Sequence, residues 1–313
     1  MKELMIKAYA KINLSIDVLG KRADGYHQVL MVMEQIDLYD LVNVEWIQGK
    51  EEESNEPERI KIVLSTNLPY LPEDNRNIAY QAAELMIQKY KKTGIGQIKI
   101  GINKNIPIAA GLAGGSANCA AVLHALNKLW DLRLTLKELF KLGVLLGADV
   151  PFCLAGQAAL NPILNLQHDF EAGTCALASG IGEELQQVNP LNAWVLLSKP
   201  PISVSTAQVY GGLDLQELEV HPDIIELVTG LKEKNYYKVA KNMINVLEIY
   251  SLKEYPIIMY TKNNIIELGK PYKALMSGSG PTVFGVFMSK SKGKRAYAKL
   301  KDMNAETYLV KML

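Results

Sequence analysis

Three glycines, Gly111, Gly114 and Gly115, lie in the run Pro107-Ile-Ala-Ala-Gly-Leu-Ala-Gly-Gly-Ser-Ala-Asn118, directly ahead of Ala120, Leu123, Leu126 and Leu129. The spacing of those apolar residues predicts a helix. Glycine lets a backbone take positive φ and approach a ligand with no Cβ in the way. A glycine-rich loop feeding a helix N-terminus aims free N–H groups and the positive end of the helix dipole at one point. That point suits a phosphate. The segment reads as an anion cradle, with a glycine-rich turn that holds no ligand as the alternative. It is neither of the two common phosphate loops. No lysine follows the glycines as a P-loop requires, and Gly-x-x-Gly-Gly-Ser is not the spacing of a dinucleotide fingerprint.

Other polar residues stand where chemistry is possible. Lys11 and Asn13 alternate with Ile12 and Leu14, so both side chains share one face of a predicted strand. A solvated face explains that pattern equally. Asp149, in Gly147-Ala-Asp-Val-Pro151, is expected to project from a short stiff connector, because Pro151 holds Val150 extended. An aspartate bonding its own turn is the alternative. Tyr26-His27 follows the turn signal Asp24-Gly25, and Ser277-Gly-Ser-Gly-Pro281 is a second glycine-rich loop. Cys119, Cys153 and Cys175 are odd in number and form no Cys-x-x-Cys pair. They read as buried reduced thiols rather than disulfides, metal ligands or nucleophiles.

The elements that must position these groups follow from the periodicity. Strands are predicted over 4–19, 29–47, 60–64 and 97–102, with a polar acidic loop at Glu51–Glu58. Helices are predicted over 77–90, ended by Gly94 and Gly96, and over 116–130. Thr135-Leu-Lys-Glu138 is a capping box opening a further helix, with Gly147 as its stop. Beyond lie a strand at 193–198, helices near 222–234, 236–249 and 255–268, a strand at 282–287, a helix at 290–302 and a strand at 306–311. Such irregular mixing defines an α+β fold.

A chain of 313 residues accommodates two domains, with a boundary expected within 155–190. A net charge of +1 gives no global attraction to nucleic acid or to an anionic membrane. An anionic ligand must therefore be captured by local geometry. No apolar run approaches membrane-spanning or signal-peptide length, so a soluble, cytoplasmic chain without nucleic-acid or membrane partners is expected.

Taken in order and spacing, four segments resemble the GHMP small-molecule kinases: Lys11-Ile-Asn-Leu14, Pro107-x3-Gly-Leu-Ala-Gly-Gly-Ser116, Gly147-Ala-Asp-Val-Pro-Phe152 and Leu275-Met-Ser-Gly-Ser-Gly-Pro281. The stretch Ala8-Tyr-Ala-Lys-Ile-Asn-Leu14, followed by Gly25-Tyr-His27, is similar to the branch that acts on a cytidine diphosphate derivative of methylerythritol in non-mevalonate isoprenoid synthesis. The resemblance implies a ribosomal-S5-like N-terminal domain that binds ATP, residues 1–156. It also implies a ferredoxin-like C-terminal domain on the substrate side, residues 157–313. It implies ATP and Mg²⁺ as the nucleotide and its metal, and a monomer or homodimer.

By the same resemblance, Pro107, Ile108, Ala109, Ala110, Gly111, Leu112, Ala113, Gly114, Gly115, Ser116 and Ala117 wrap the ATP phosphates, and Ser116 reaches the Mg²⁺. Asp149 is the base for the acceptor hydroxyl. Lys11 lies beside it and steadies the alkoxide and the transferred phosphoryl. Tyr26, His27 and Tyr210 hold the cytosine, Asn13 bonds the methylerythritol part, and Thr206 belongs to the substrate-side loop. A mevalonate or homoserine kinase has no use for a cytosine clamp.

Three departures stand out. Ala117-Asn118 replaces the serine and aspartate that relatives commonly carry, which removes a hydroxyl and a carboxylate expected near the phosphates. Gln157–Ala172 is extra sequence, a surface excursion or a lid. The nucleotide base pocket is poorly marked, with Asn67 to Asn77 as its candidate. The competing readings are another GHMP kinase of mevalonate or homoserine type, and a nucleotide-binding homologue without catalysis. A nicotinamide-dependent oxidoreductase is disfavoured by the glycine spacing.

Overall fold

The first strand, β1 (Lys2–Lys21), alternates exposed and buried residues up to Lys7 and is then buried on both faces from Ala8 to Val18. In a computed structural model that describes residues 2–49, 60–90 and 95–313, β1 pairs with β2 (His27–Gln48). The acidic loop Glu51–Glu58 and Gly94 lie outside the described residues. The chain divides into two compact units. Residues 1–10, 39–106 and 113–173 form the first; residues 11–38, 107–112 and 174–313 form the second. No described helix is long and apolar enough to cross a membrane.

In the first unit, β4 (Gly96–Asn103) runs antiparallel to β2, with Val44 opposite Ile100, and parallel to β3 (Ile60–Thr66). Helix α2 (Gly114–Leu129) is buried along nearly its whole length, with Ala120, Leu123, Leu126 and Leu129 all in the core. Helix α1 (Ile78–Tyr90) lies against α2 through Ala79, Ala82, Ala83 and Met86. The three alanines among them, at helical spacing, allow close approach. Helix α3 (Leu136–Gly143) opens with the expected reciprocal Thr135–Glu138 capping box.

Three expectations need correction here. Helix α3 ends at Gly143 rather than Gly147, and a Cβ at Gly143 would come within 2.8 Å of Val150, so this glycine serves packing. Val150 is not extended: it opens helix α4 (Val150–Leu160), with Asp149 as the N-cap. Proline costs little in a first turn, where its missing N–H has no partner to lose. Nor is Gln157–Ala172 a mere surface excursion. Its first residues complete α4, Gln157 is buried and donates to the Ala117 carbonyl at 2.7 Å, and Leu164 is buried beyond it.

His124, midway along α2, is buried, and its ring N–H donates to the Leu154 carbonyl at 3.0 Å. Burial pushes the imidazole down to about 4 from its ordinary 6.5. The folded state therefore resists a proton that the unfolded chain accepts. The His124 contribution is complete above pH 6.5, falls away as the pH drops toward 4, and is constant below that. The full loss amounts to about 3 kcal/mol. Denaturation midpoints measured across this window should fall more steeply for the native chain than for His124→Gln; equal slopes would exclude His124 as the cause.

In the second unit, β5 (Cys175–Ser179) pairs antiparallel with β2 and with β6 (Glu184–Gln187). A four-stranded antiparallel sheet runs in the order β10 (Glu306–Lys311), β7 (Trp194–Lys199), β9 (Val283–Phe287), β8 (Lys273–Met276). Helix α10 (Lys290–Leu300) packs on β7, β9 and β10, and α9 (Pro256–Asn264) packs on β8 and β9. Helix α5 (Thr206–Gly211) is short, and α6 (Ile224–Glu233) precedes α7 (Tyr236–Asn242). The single helix expected over 236–249 is instead α7 and α8 (Glu248–Glu254), separated by an irregular turn. No disulfide joins Cys119, Cys153 and Cys175, and all three are buried.

Candidate active site

The first unit holds the helix end of the glycine loop. Ala113, the N-cap of α2, takes φ 56° and ψ 28° and provides no side-chain cap. The first intrahelical bond is Ala117 N–H to the Ala113 carbonyl at 2.9 Å. The amides of Gly114, Gly115 and Ser116 thus precede the helical ladder and carry its positive end. A Cβ at Gly147 would stand 3.9 Å from Ser116 Oγ, so the Ser116 hydroxyl neighbours the turn that leads into Asp149. Asp149 is half-buried and forms no cap bond to its own helix.

Asn118 is buried and bonds to Asp40 and Lys104, so its place is in the interior. A cavity of about 710 Å³ is lined by Thr66, Asn67, Leu71, Asp74 and Arg76 among others, within the segment expected to hold the base. Asn67 clasps the backbone of Lys104, accepting from its N–H at 2.8 Å and donating to its carbonyl at 3.2 Å. At the rim, the Arg76 guanidinium holds the exposed Asp74 carboxyl down at about 2.

The second unit assembles most of the other expected residues. Lys11 and Asn13 do share a face, and it is buried rather than solvated. Lys11 Nζ donates to Asn13 Oδ1 at 2.7 Å, and Asn13 Nδ2 lies 3.2 Å from the Met31 sulfur. The opening residues of the glycine loop are stitched to this strand, since Lys11 N–H donates to the Leu112 carbonyl at 3.1 Å. The same residues meet the second glycine loop, 166 positions later in sequence, where Ser277 Oγ donates to the Gly111 carbonyl at 2.9 Å. Gly111 has φ +71°, and a Cβ there would sit 2.1 Å from the Ser277 carbonyl oxygen. The two loops touch backbone to backbone, which only glycine permits.

Helix α5 carries Thr206 and, one turn on, Tyr210. Thr206 Oγ1 is 2.9 Å from Ser279 Oγ in the second loop. The rings of His27 and Tyr210 lie 5.3 Å apart between centroids, tilted by 35°, so two of the three proposed cytosine contacts are neighbours. Tyr26 is exposed on the adjacent turn, where its N–H bonds Asp24 and its carbonyl accepts from Arg22 N–H. Partial burial, and then Lys21, hold the His27 imidazole below its ordinary value.

Sequence reasoning missed one residue of this unit. Asn245, in the turn between α7 and α8, donates through Nδ2 to the carbonyls of Met276 and Gly278, both at 2.8 Å. Its neighbours pair with β1, Ile16 N–H to the Ile244 carbonyl and Val246 N–H to the Ile16 carbonyl. The only signal was a single amide within the apolar run Met243–Leu247.

Among the described residues, no group of three or more histidines, cysteines or acidic residues could cage a metal. The Ser116 hydroxyl fits a cation that arrives with phosphate oxygens and keeps part of its own water, as Mg²⁺ does.

Each unit holds groups of a kind that phosphoryl transfer can use: helix-end amides and the Asp149 carboxylate in the first, and the Lys11 ammonium beside Asn13 in the second. The family of GHMP kinases N terminal domains matches residues 77–157, and that of GHMP kinases C terminal regions matches 227–306. A 4-diphosphocytidyl-2-C-methyl-D-erythritol kinase of Alkaliphilus metalliredigens is 46% identical over 312 residues, 99% of this chain and 97% of that one. A kinase of the same description from Clostridium botulinum (strain Alaska E43 / Type E3) is 43% identical over 310 residues, 98% of this chain and 99% of that one. A crystal structure of 4-(cytidine 5'-diphospho)-2C-methyl-D-erythritol kinase superposes with a TM-score of 0.75 at 26% identity, covering 99% of both chains. The chain belongs to the GHMP kinases, and among them to the 4-diphosphocytidyl-2-C-methyl-D-erythritol kinase family. It is an enzyme, an ATP-dependent kinase of a small molecule.

Proposed function

We propose that the enzyme transfers the γ-phosphoryl of ATP to the 2-hydroxyl of 4-diphosphocytidyl-2-C-methyl-D-erythritol, a step in the non-mevalonate formation of isoprenoid precursors. The observation that carries this reading is the end-to-end likeness to curated relatives of that description, at 46% identity. The neighbouring rings of His27 and Tyr210 support a cytosine-bearing acceptor. Residues 1–156 form the ATP-binding domain, which also lends Asn13, Tyr26 and His27 to the acceptor, and residues 157–313 form the substrate-side domain.

Phosphoryl transfer needs alignment and charge neutralisation more than covalent help. Residues Pro107–Ala117 wrap the triphosphate with backbone amides. Asp149 accepts the proton of the attacking hydroxyl, and Lys11 neutralises charge on the alkoxide and the migrating phosphoryl. Asn13, held by Lys11, orients the methylerythritol, and Thr206 closes the acceptor side. Tyr26, His27 and Tyr210 grip the base by stacking and hydrogen bonding. Ser116 would hold the Mg²⁺ that comes with the nucleotide, and the ion would supply further charge neutralisation. The cavity lined by Asn67 and Leu71 receives the adenine.

The test measures ADP release with the cytidylated alcohol, the same alcohol without cytidine, mevalonate and homoserine. Only the first should give efficient turnover; equal rates on the alcohol lacking cytidine would overturn the assignment. Tyr210→Ala should raise KM for the cytidylated acceptor about tenfold, in line with roughly 1–3 kcal/mol per stacked base, and leave KM for ATP unchanged.

A further inference from the structure

We propose that Lys104, fixed by Asp40 and Asn118, is a positioning residue that sets the first turn of α2 for the nucleotide phosphates. This rests on the reading of that helix end as the phosphate site. Asp40, on β2, is fully buried and accepts four hydrogen bonds. Its Oδ1 takes the backbone N–H groups of Asn105 at 2.7 Å and Ile106 at 2.9 Å. Its Oδ2 takes the Lys104 ammonium at 2.5 Å and the Asn118 amide at 2.8 Å. Lys104 Nζ closes the ring by donating to Asn118 Oδ1 at 3.1 Å.

Three pieces of backbone are thereby fixed to one carboxylate: β2, the segment 104–106 that enters the glycine loop, and the second turn of α2. Asn118 lies one turn beyond Gly114, so fixing it fixes the turn before it. Contact is direct as well, since a Cβ on Gly114 would lie 3.0 Å from Lys104 Nζ. The ammonium abuts the first residue of the helix whose amides face the anion. A P-loop places its lysine on the phosphates. Here Asp40 balances the lysine's charge from within the core, and its effect on the ligand runs through the orientation of backbone amides.

A buried ion pair is weak evidence for stability, because a neutral set of similar volume often serves as well. That separates positioning from folding and allows a clean experiment. In the double variant Asp40→Asn/Lys104→Met, the new amide's oxygen still accepts from Asn105 and Ile106. Its nitrogen can donate to Asn118 once that amide rotates, and only the ammonium beneath Gly114 is lost. Melting should stay within a few degrees of native, and KM for the alcohol acceptor should not change. KM for ATP should rise, and kcat fall, each by about tenfold, the scale on which small misalignments of reacting groups act. Asn118→Ala should shift ATP kinetics in the same direction.

Asn127→Ala, which loses the two bonds to Leu134 at the far end of α2, reports the effect of lost stability alone. Native ATP kinetics in the double variant, an equal rise in both KM values, or the same ATP defect in Asn127→Ala would each overturn the proposal. The native enzyme is assayed alongside. Its failure to turn over ATP would remove the phosphate-site reading itself, whereas a native rate matched by the double variant removes only the role of Lys104.

Discussion

Asp149→Asn lowers kcat by about 10²–10⁴-fold, the usual contribution of a positioned general base, while the fold and ATP binding persist. The substitution keeps the shape of the side chain and removes its ability to take a proton. Asp149 is the N-cap of α4 but makes no cap hydrogen bond there, and asparagine caps a helix as well as aspartate does. The melting temperature should therefore match the native value. Single-turnover ADP formation, with calorimetry for ATP binding, separates chemistry from binding. A native rate in this variant would remove Asp149 from the mechanism and revive the reading of a nucleotide-binding protein without catalysis. Lys11→Met is a less clean companion, because Asn13 then loses its 2.7 Å partner, at about 1–3 kcal/mol for a buried group left unpaired.

Gly111→Ala should be the most disruptive single-methyl change near the site. The new Cβ would lie 2.1 Å from the Ser277 carbonyl oxygen and 3.1 Å from that of Gly280. Both obstacles are backbone, so no side chain can swing aside, and φ +71° adds the strain of a left-handed residue. Relief requires the two glycine loops to separate, breaking the Ser277–Gly111 hydrogen bond. Gly25→Ala is the matched control: φ there is +89° with nothing within 4 Å of the new Cβ. It should lose only the roughly 1–2 kcal/mol of positive φ. Chemical denaturation and kcat/KM are compared for the two. Gly111→Ala should be several kcal/mol worse, on the scale of overpacking added to backbone strain, with activity lost beyond what unfolding explains. Similar values for both variants would mean that the loops are not packed as described.

Sequence reading reached as far as local chemistry extends. The α2 stripe, the Thr135–Glu138 box and the long alternating strands were legible because periodicity and capping act within a few residues. The glycine loop stood out by composition, although composition alone left a glycine-rich turn without a ligand as the alternative. Helix α4 was hidden because it is apolar on all sides, which blurs the amphipathic signal, and because Pro151 reads as a breaker unless the helix start is already known. The break between α7 and α8 was invisible for another reason. Asn245 abandons helical geometry to reach carbonyls 31 and 33 positions away, and no local rule anticipates such partners. Lys104 and Asp40 escaped notice likewise, being 64 residues apart. The sequence placed Lys11 and Asn13 on one face but could not say whether that face met water. That choice belongs to the partners which bury it.

The turn at Asn245 carries a warning for anyone hardening this enzyme for use as a reagent. Residues 236–254 look like one poorly optimised amphipathic segment, and a consensus or propensity-driven redesign would fill 243–247 with alanine and leucine. Local helicity would improve by such a measure. The carbonyls of Met276 and Gly278 would lose their shared donor, and a buried group left unpaired costs about 1–3 kcal/mol, more than the added helicity returns.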